Sequence, residues 1–229
     1  MSDAQPPSAD GTGPRRVRAL VALRVLEVLR EQDRPGDVME AEDPAVTMPR
    51  RLGLSDVVER QIRTYRADMK RGVRLTDAEI RDLFRLVIRR PDSDEVFLRV
   101  GRSLGGGDLE GSWRRFVPQR AAYALARGRV RRGLKKLFGR RLGGFGRGPF
   151  SVEGRSLIFI DADPGGDACH FLSGYCEAVL EQASGRPGRV AHTLCQARGD
   201  DVCRWEGSLV DVGGADGTGA PDDATVSSV

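Results

Sequence analysis

Four residues in the second half of the chain are of types that bind metals, and they are spaced closely enough to do so together. Cys169, His192, Cys195 and Cys203 follow the pattern C-x22-H-x2-C-x7-C. All four cysteines of the 229-residue chain, these three and Cys176, fall within one 35-residue stretch, and the rest of the chain has none. In a reducing compartment such clustering favours metal ligation or redox chemistry over structural disulfides. Zinc takes four soft or borderline ligands at the corners of a tetrahedron, and three thiolates with one neutral imidazole meet that need. Spacing alone leaves a second reading open. Three buried cysteines behaving as small hydrophobes, beside an unrelated histidine, would give the same pattern.

The elements around these residues must bring them together. Arg189 to Cys195 and Val202 to Val210 read as two strands joined by the turn Arg198-Gly199-Asp200-Asp201. A strand, turn and strand can present His192, Cys195 and Cys203 to one point. Cys169 would approach from the start of a helix running from about Ala168 to Ser184, which Gly185 is placed to stop. One difficulty is visible in advance: His192 and Cys195 are an odd number of residues apart, so on an ideal strand they face opposite sides. A bulge or the end of the strand must reunite them. Cys176 lies seven residues after Cys169, two helical turns along the same face, and reads as a small buried apolar residue. His170 reads as an ordinary surface or loop histidine.

Upstream the pattern is helical. Residues 1–13 and 212–229, rich in Gly, Pro, Ser, Asp and Ala, have too few large apolar side chains to offset ordering entropy and read as disordered tails. Pro14 opens an expected helix with Val17, Leu20, Val21, Val25, Val28 and Leu29 at helical spacing, and Leu23 and Leu26 widen the stripe before Pro35-Gly36. After a loop bounded by Pro44 and Pro49, Ser55 would cap a helix carrying Val58, Ile62, Tyr65 and Met69, closed by Gly72. Thr76-Asp-Ala-Glu79 matches a capping box, followed by the stripe Ile80, Leu83, Phe84, Val87 and Ile88 up to Pro91. Asp92-Ser93 would cap a helix through Val96, Phe97, Val100 and Leu104 that Gly105-Gly106-Gly107 interrupts. Trp113 to Phe138 reads as helix with a break at Pro118, and the pattern changes at Gly139. Gly143 to Pro149 reads as a turn or bulged strand, Leu157-Ile-Phe-Ile160 as a buried strand, and Asp161 to Asp167 as a loop. Helices precede an antiparallel sheet, so the fold class is α+β. The divisions are a tail (1–13), a helical extension (14–91), a metal-binding domain of long helices on a small antiparallel sheet (92–211) and a second tail (212–229).

The stretch Cys169 to Trp205 resembles the 4-vinyl reductase (4VR) domain. Gly174, Gly185 and Cys-Gln-Ala-Arg-Gly-Asp-Asp-Val-Cys over 195–203 carry most of the likeness. Val100-Gly101-Arg102 and Gly144-Phe-Gly-Arg147 extend it, so that it spans roughly Leu98 to Leu209, with no counterpart for residues 14–91. That fold is shared by subunits of the vesicle-tethering TRAPP complex. The stretch looks particularly like the sensory domains of phenol-type bacterial regulators, whose zinc is held by Cys, Glu, Cys and Cys at matching intervals; here His192 stands where they have Glu. The resemblance implies a structural zinc ion locking a helix to the sheet beside a mostly apolar ligand chamber.

Three functional readings follow. The first is a sensory module that binds a hydrophobic small molecule between the long helices and the sheet, with Trp113, Phe116, Phe145, Phe159 and Tyr175 as wall residues, although such aromatics are commonly plain core. Signalling would then pass through a partner or self-association, with the helices of 14–90 as the contact. The second is an accessory protein or reductase of tetrapyrrole metabolism. Hydride chemistry needs a cofactor, and no dinucleotide fingerprint follows a strand and opens a helix. The third is nucleic-acid binding through residues 114–147, which hold twelve Lys/Arg and no Asp or Glu within a chain of net charge +4. A solvated helix face balanced by acidic stretches elsewhere accounts for the same charge, and no reader motif accompanies it. No run of about 18 apolar residues exists and Met1 to Gly13 lacks the layout of a signal peptide, so a cytoplasmic protein without a membrane span is expected.

Overall fold

The computed structural model describes residues 13–33, 56–106 and 117–210. The tails, the stop at Pro35-Gly36, the Pro44–Pro49 loop, the Ser55 cap, Trp113 and Phe116 lie outside them, apart from Gly13 at the end of the first tail. Among the described residues the fold is α+β, with helices packed on small antiparallel sheets.

The first helix starts later than its apolar spacing predicts. Val17–Arg18 is a short strand, β1, and α1 spans Ala19–Gln32. The cause is a competing partner: β1 pairs antiparallel with β2 (Arg74–Leu75), and the N–H groups of Arg16 and Ala19 donate to the carbonyls of Leu75 and Val73. Pairing with β2 holds Val17 and Arg18 in extended backbone, so the helical turn can begin only at Ala19. Helix α2 covers Asp56–Lys70, and Gly72 beyond it is left-handed at φ 71°. The capping box before α3 (Asp77–Ile88) is formed on both sides, with Thr76 Oγ1 accepting from Glu79 N at 3.2 Å and Glu79 Oε2 accepting from Thr76 N at 2.6 Å.

Helix α4 spans Ser93–Gly105, and here the expected cap is not made. Asp92 holds the N-cap position, but its carboxylate is taken by Arg90 at 2.8 Å, while Ser93 Oγ donates to Asp167 at 2.7 Å. Helix α5 (Gln119–Phe138) starts directly after Pro118, and the left-handed Gly139 at φ 66° ends it. Strands β3 (Gly144–Phe145) and β4 (Ser151–Gly154) follow.

The expected strand at Leu157–Ile160 is instead a short helix, α6 (Ile158–Ala162). Leu157 is extended, and its carbonyl accepts from Ile160 N at 2.9 Å, turning the chain. Ile158, Phe159 and Ala162 are the residues it buries, a helical and not an alternating set. Four consecutive apolar residues look alike for a buried strand and a buried helix, so periodicity had nothing to separate them.

Helix α7 (His170–Ser184) is closed by left-handed Gly185, and β5 (Gly188–Leu194) and β6 (Cys203–Leu209) complete a sheet ordered β3-β4-β6-β5, antiparallel throughout. The core is continuous from Val17 of β1 and Val21 of α1 to Trp205 of the sheet. At its centre Phe84, Phe97, Phe138, Phe159, Phe171 and Tyr175 form a chain of ring contacts with centroids 5.2–6.5 Å apart. Helices α4 and α7 lie unusually close. A Cβ on Gly101 would collide with the Phe171 carbonyl, one on Gly105 with that of Tyr175, and one on Gly174 with that of Leu98. Three glycines thus let the two backbones touch, which presses the first turns of α7 into place beneath the sheet.

Candidate metal centre

The metal-type residues expected from sequence meet in space. The ligand atoms of Cys169, His192, Cys195 and Cys203 all lie within 4.8 Å of one another. A tetrahedron with metal–sulfur bonds of ~2.3 Å has edges of ~3.8 Å, so this spread fits one ion. The three cysteines are no more than 2 % exposed and His192 is half-buried.

Each ligand is placed by a local device. Cys169 closes a 3-10 turn (Asp167–Cys169) that runs into α7. Asp163 holds that turn by accepting from the N–H groups of Gly165 at 2.8 Å and Ala168 at 2.7 Å, and Trp205 Nε1 donates to the Cys169 carbonyl at 3.3 Å. His192 stands opposite Trp205 in the β5–β6 register, its ring stacked on the indole with centroids 4.7 Å apart and planes 8° from parallel. The ladder slips between His192 and Leu194, and this irregularity brings Cys195 to the histidine's side. The bulge that the odd spacing demanded is therefore present. Cys195 N donates to Asp200 Oδ2 at 2.6 Å, and its carbonyl accepts from Arg198 N and Asp200 N, which closes the knuckle between the strands. Gly166, left-handed at φ 93°, passes so near Cys195 Sγ that a Cβ there would sit 3.0 Å from the sulfur.

The electrostatics favour thiolate at this point. The Cys203 thiol is held well below its usual range because the Cys169 S–H donates to it, with His192 and the backbone N–H of Gln196, 3.3 Å from Sγ, adding to the effect against burial. Its partner is driven the other way: sharing that hydrogen bond and being buried both push Cys169 up. Two thiols competing for one negative charge is the state a cation would resolve, since coordination deprotonates both. His192 Nε2 is buried with no hydrogen-bond partner among the described residues, a polar atom that a metal would satisfy. The donor set therefore fits a metal ion. Four protein ligands would also fill a tetrahedron, which makes such a site structural in character.

Other singled-out residues fall elsewhere. Cys176 is a free, fully buried thiol, pushed up by burial and outside the four-ligand group. Phe159 and Tyr175 belong to the packed aromatic core, and Tyr175 stacks on Phe171 at 4°. Phe145 is half-buried under the Arg127 guanidinium, 4.9 Å from its ring centroid, beside an open cavity of about 590 Å³ whose far wall is the Glu153–Arg204 ion pair at 2.8 Å. The seam between α5 and the sheet, where an apolar chamber is implied, is nearly closed: about 10 Å³ remains among Val130, Leu142, Phe145 and Val152. That is about the room one water needs. In the basic stretch, Arg131, Arg132, Lys135 and Lys136 are exposed on α5, whereas Arg140 pairs with Asp77 at 3.2 Å.

Asp163, Gln196, Asp200 and Trp205 support the centre, a role that the sequence reading gave to none of them. The signals they offered were slight: an acid opening the loop before the first ligand, an acid in the turn between two cysteines, and an aromatic two residues after the last. No helix among the described residues is long and apolar enough to cross a membrane. Comparison of the chain with protein-family models, with curated proteins and with solved structures found no match.

Proposed function

We propose that this chain is a zinc-stabilised, small-molecule-binding module of the sensory type, which acts through a partner or by self-association and does not turn over a substrate. One observation carries the reading: three thiols and an imidazole converge within 4.8 Å, a complete ligand set for one ion with no protein-free corner for substrate. Sulfur-rich tetrahedral donors select zinc over the oxygen-seeking divalent cations. The ligands come from the start of α7 and from both strands of the β5–β6 hairpin, so the ion would clamp helix to sheet. The resemblance to the 4-vinyl reductase domain supplies the other half, a hydrophobic ligand received between the helices and the sheet.

The seam lined by Val130, Leu142, Phe145 and Val152 is the point of entry in this reading. Gly143 and Gly144 form its outer wall, and β3 is only two residues long, so a ligand would enlarge the seam by displacing that strand. Val58 on α2 and Leu86 on α3 are left exposed and offer apolar contact for a partner or second copy.

Native mass spectrometry and elemental analysis of protein purified without added metal test both halves together. One zinc per chain is expected, lost in Cys195→Ser, with a copurified apolar compound released on denaturation. A zinc-free protein, or a Cys195→Ser variant with full metal content, refutes the centre. Turnover of a vinyl-bearing substrate with a nicotinamide cofactor refutes the non-enzymatic reading. A second reading, nucleic-acid binding through α5, draws on the exposed Arg131, Arg132, Lys135 and Lys136. It predicts nucleic-acid affinity that falls steeply with salt.

A further inference from the structure

The only two histidines of the chain line one cavity. It occupies about 310 Å³ between α4, α7 and β5, with His170, Ser173, Glu177, His192 and Arg198 as its polar walls and Leu98 and Val190 as apolar ones. The volume lies at the lower end of the range for small-molecule sites.

The polar groups are unequal. Glu177 is fully engaged: one carboxylate oxygen accepts from Val190 N at 3.2 Å and the other from Arg102 at 2.7 Å. Ser173 is 3 % exposed, yet its Oγ has no partner among the described residues, although a helical serine can ordinarily bond back to the preceding turn. The Arg198 side chain is exposed and pairs with no carboxylate among the described residues. An imidazole always carries at least one N–H at neutral or acid pH. The unspent groups around the cavity can therefore all donate, and its one carboxylate is already engaged.

We propose that this cavity binds a small monocarboxylate, its anionic end received by Ser173 and Arg198 with the histidines beside them, and its short apolar body against Leu98 and Val190. A planar guanidinium suits a carboxylate, which it can grip with two parallel N–H bonds. The fixed charge of Glu177 in the same wall opposes a dianion, which selects against phosphate. The inference rests on the metal reading only through His192: a metal on one ring nitrogen keeps the other as N–H, so an occupied centre makes this histidine a permanent donor.

Titration calorimetry on the full chain, with zinc content measured on the same samples, tests it using benzoate, its neutral analogue benzamide, and inorganic phosphate. Benzoate should bind saturably and benzamide at least about tenfold more weakly. Arg198→Ala should weaken benzoate about tenfold, Arg198→Lys less, and Ser173→Ala about threefold, all with unchanged zinc and unchanged melting. Absence of saturable benzoate binding, equal binding of benzamide, tighter binding of phosphate, or indifference to Arg198→Ala overturns the proposal. The two readings separate cleanly. Zinc-loaded protein that ignores benzoate removes the carboxylate site and leaves the metal centre, whereas zinc-free protein that binds benzoate through Arg198 does the reverse.

Discussion

Helix α7 is anchored twice, and the two anchorages work on opposite principles. Its N-terminal end is tied to the β5–β6 hairpin by Cys169, which meets His192, Cys195 and Cys203. Its middle is pressed on α4 through Gly101, Gly105 and Gly174, where backbone meets backbone because no side chains intervene. The first contact is chemical, needing four particular side chains in particular protonation states. The second is steric and needs only that three positions stay empty. Sequence reading finds the first kind easily and the second with difficulty, since an absence of side chain carries no type of its own.

The largest predicted effect breaks the chemical anchor. Cys203→Ala removes a ligand, and structural zinc contributes on the order of 10 kcal/mol to folding, so this variant should lose its cooperative melt and its metal. Cys176→Ala, the same substitution at a buried thiol of α7 outside the ligand group, should cost about 2 kcal/mol and keep the zinc. Equal losses in the two variants would mean that the ligand set is wrongly assigned.

Gly101→Val attacks the steric anchor instead. The added carbons would run into the Phe171 carbonyl, and overpacking of this kind costs about 3 kcal/mol or more because backbone cannot step aside as a side chain can. Chemical denaturation should show the loss with zinc still bound, which separates the two anchors. If Gly101→Val is neutral, α4 and α7 are not in contact at this depth.

Acidification should distinguish them with no mutation at all. The lowered Cys203 thiol contributes stability that is present above the ordinary thiol pKa of about 8.5 and lost as pH falls. The raised Cys169 thiol contributes in the opposite sense, favouring the metal-free fold at low pH and losing that contribution as pH rises. A metal needs both deprotonated, so a zinc-loaded centre should release its ion on acidification while the glycine seam is unaffected. Melts at descending pH with and without chelator should therefore converge. The smallest effect expected is from Thr76→Ala, which removes the capping box of α3 far from either anchor at a cost of about 1 kcal/mol.

These contrasts explain what could be read from the residues alone. The four ligands, the capping box at Thr76 and the terminating glycines Gly139 and Gly185 were legible because each is a residue type with one favoured use. The need for a bulge near His192 was legible too, since it follows from the twofold period of a strand. Other features were not. Leu157–Ile160 was hidden by its uniform apolarity, which erases periodicity. Gly105 reads as the start of a glycine-rich interruption, yet it sits inside α4 four residues after Gly101, on the same face and against the same neighbour. The i, i+4 spacing of those two glycines was the signal available for the seam.

The hydrogen bond from Val190 to Glu177 has a consequence for how copies of this chain can assemble. Among the described residues β5 is an outermost strand of its sheet, and an unpaired strand edge invites a neighbouring chain to add another. Here a carboxylate from α7, itself held by Arg102, already occupies the outward N–H of Val190 at the middle of that edge. An incoming strand would have to expel a paired charge to bond Val190. The β5 edge of the sheet thus carries its own guard against strand addition, built from a helix side chain and not from the strand itself.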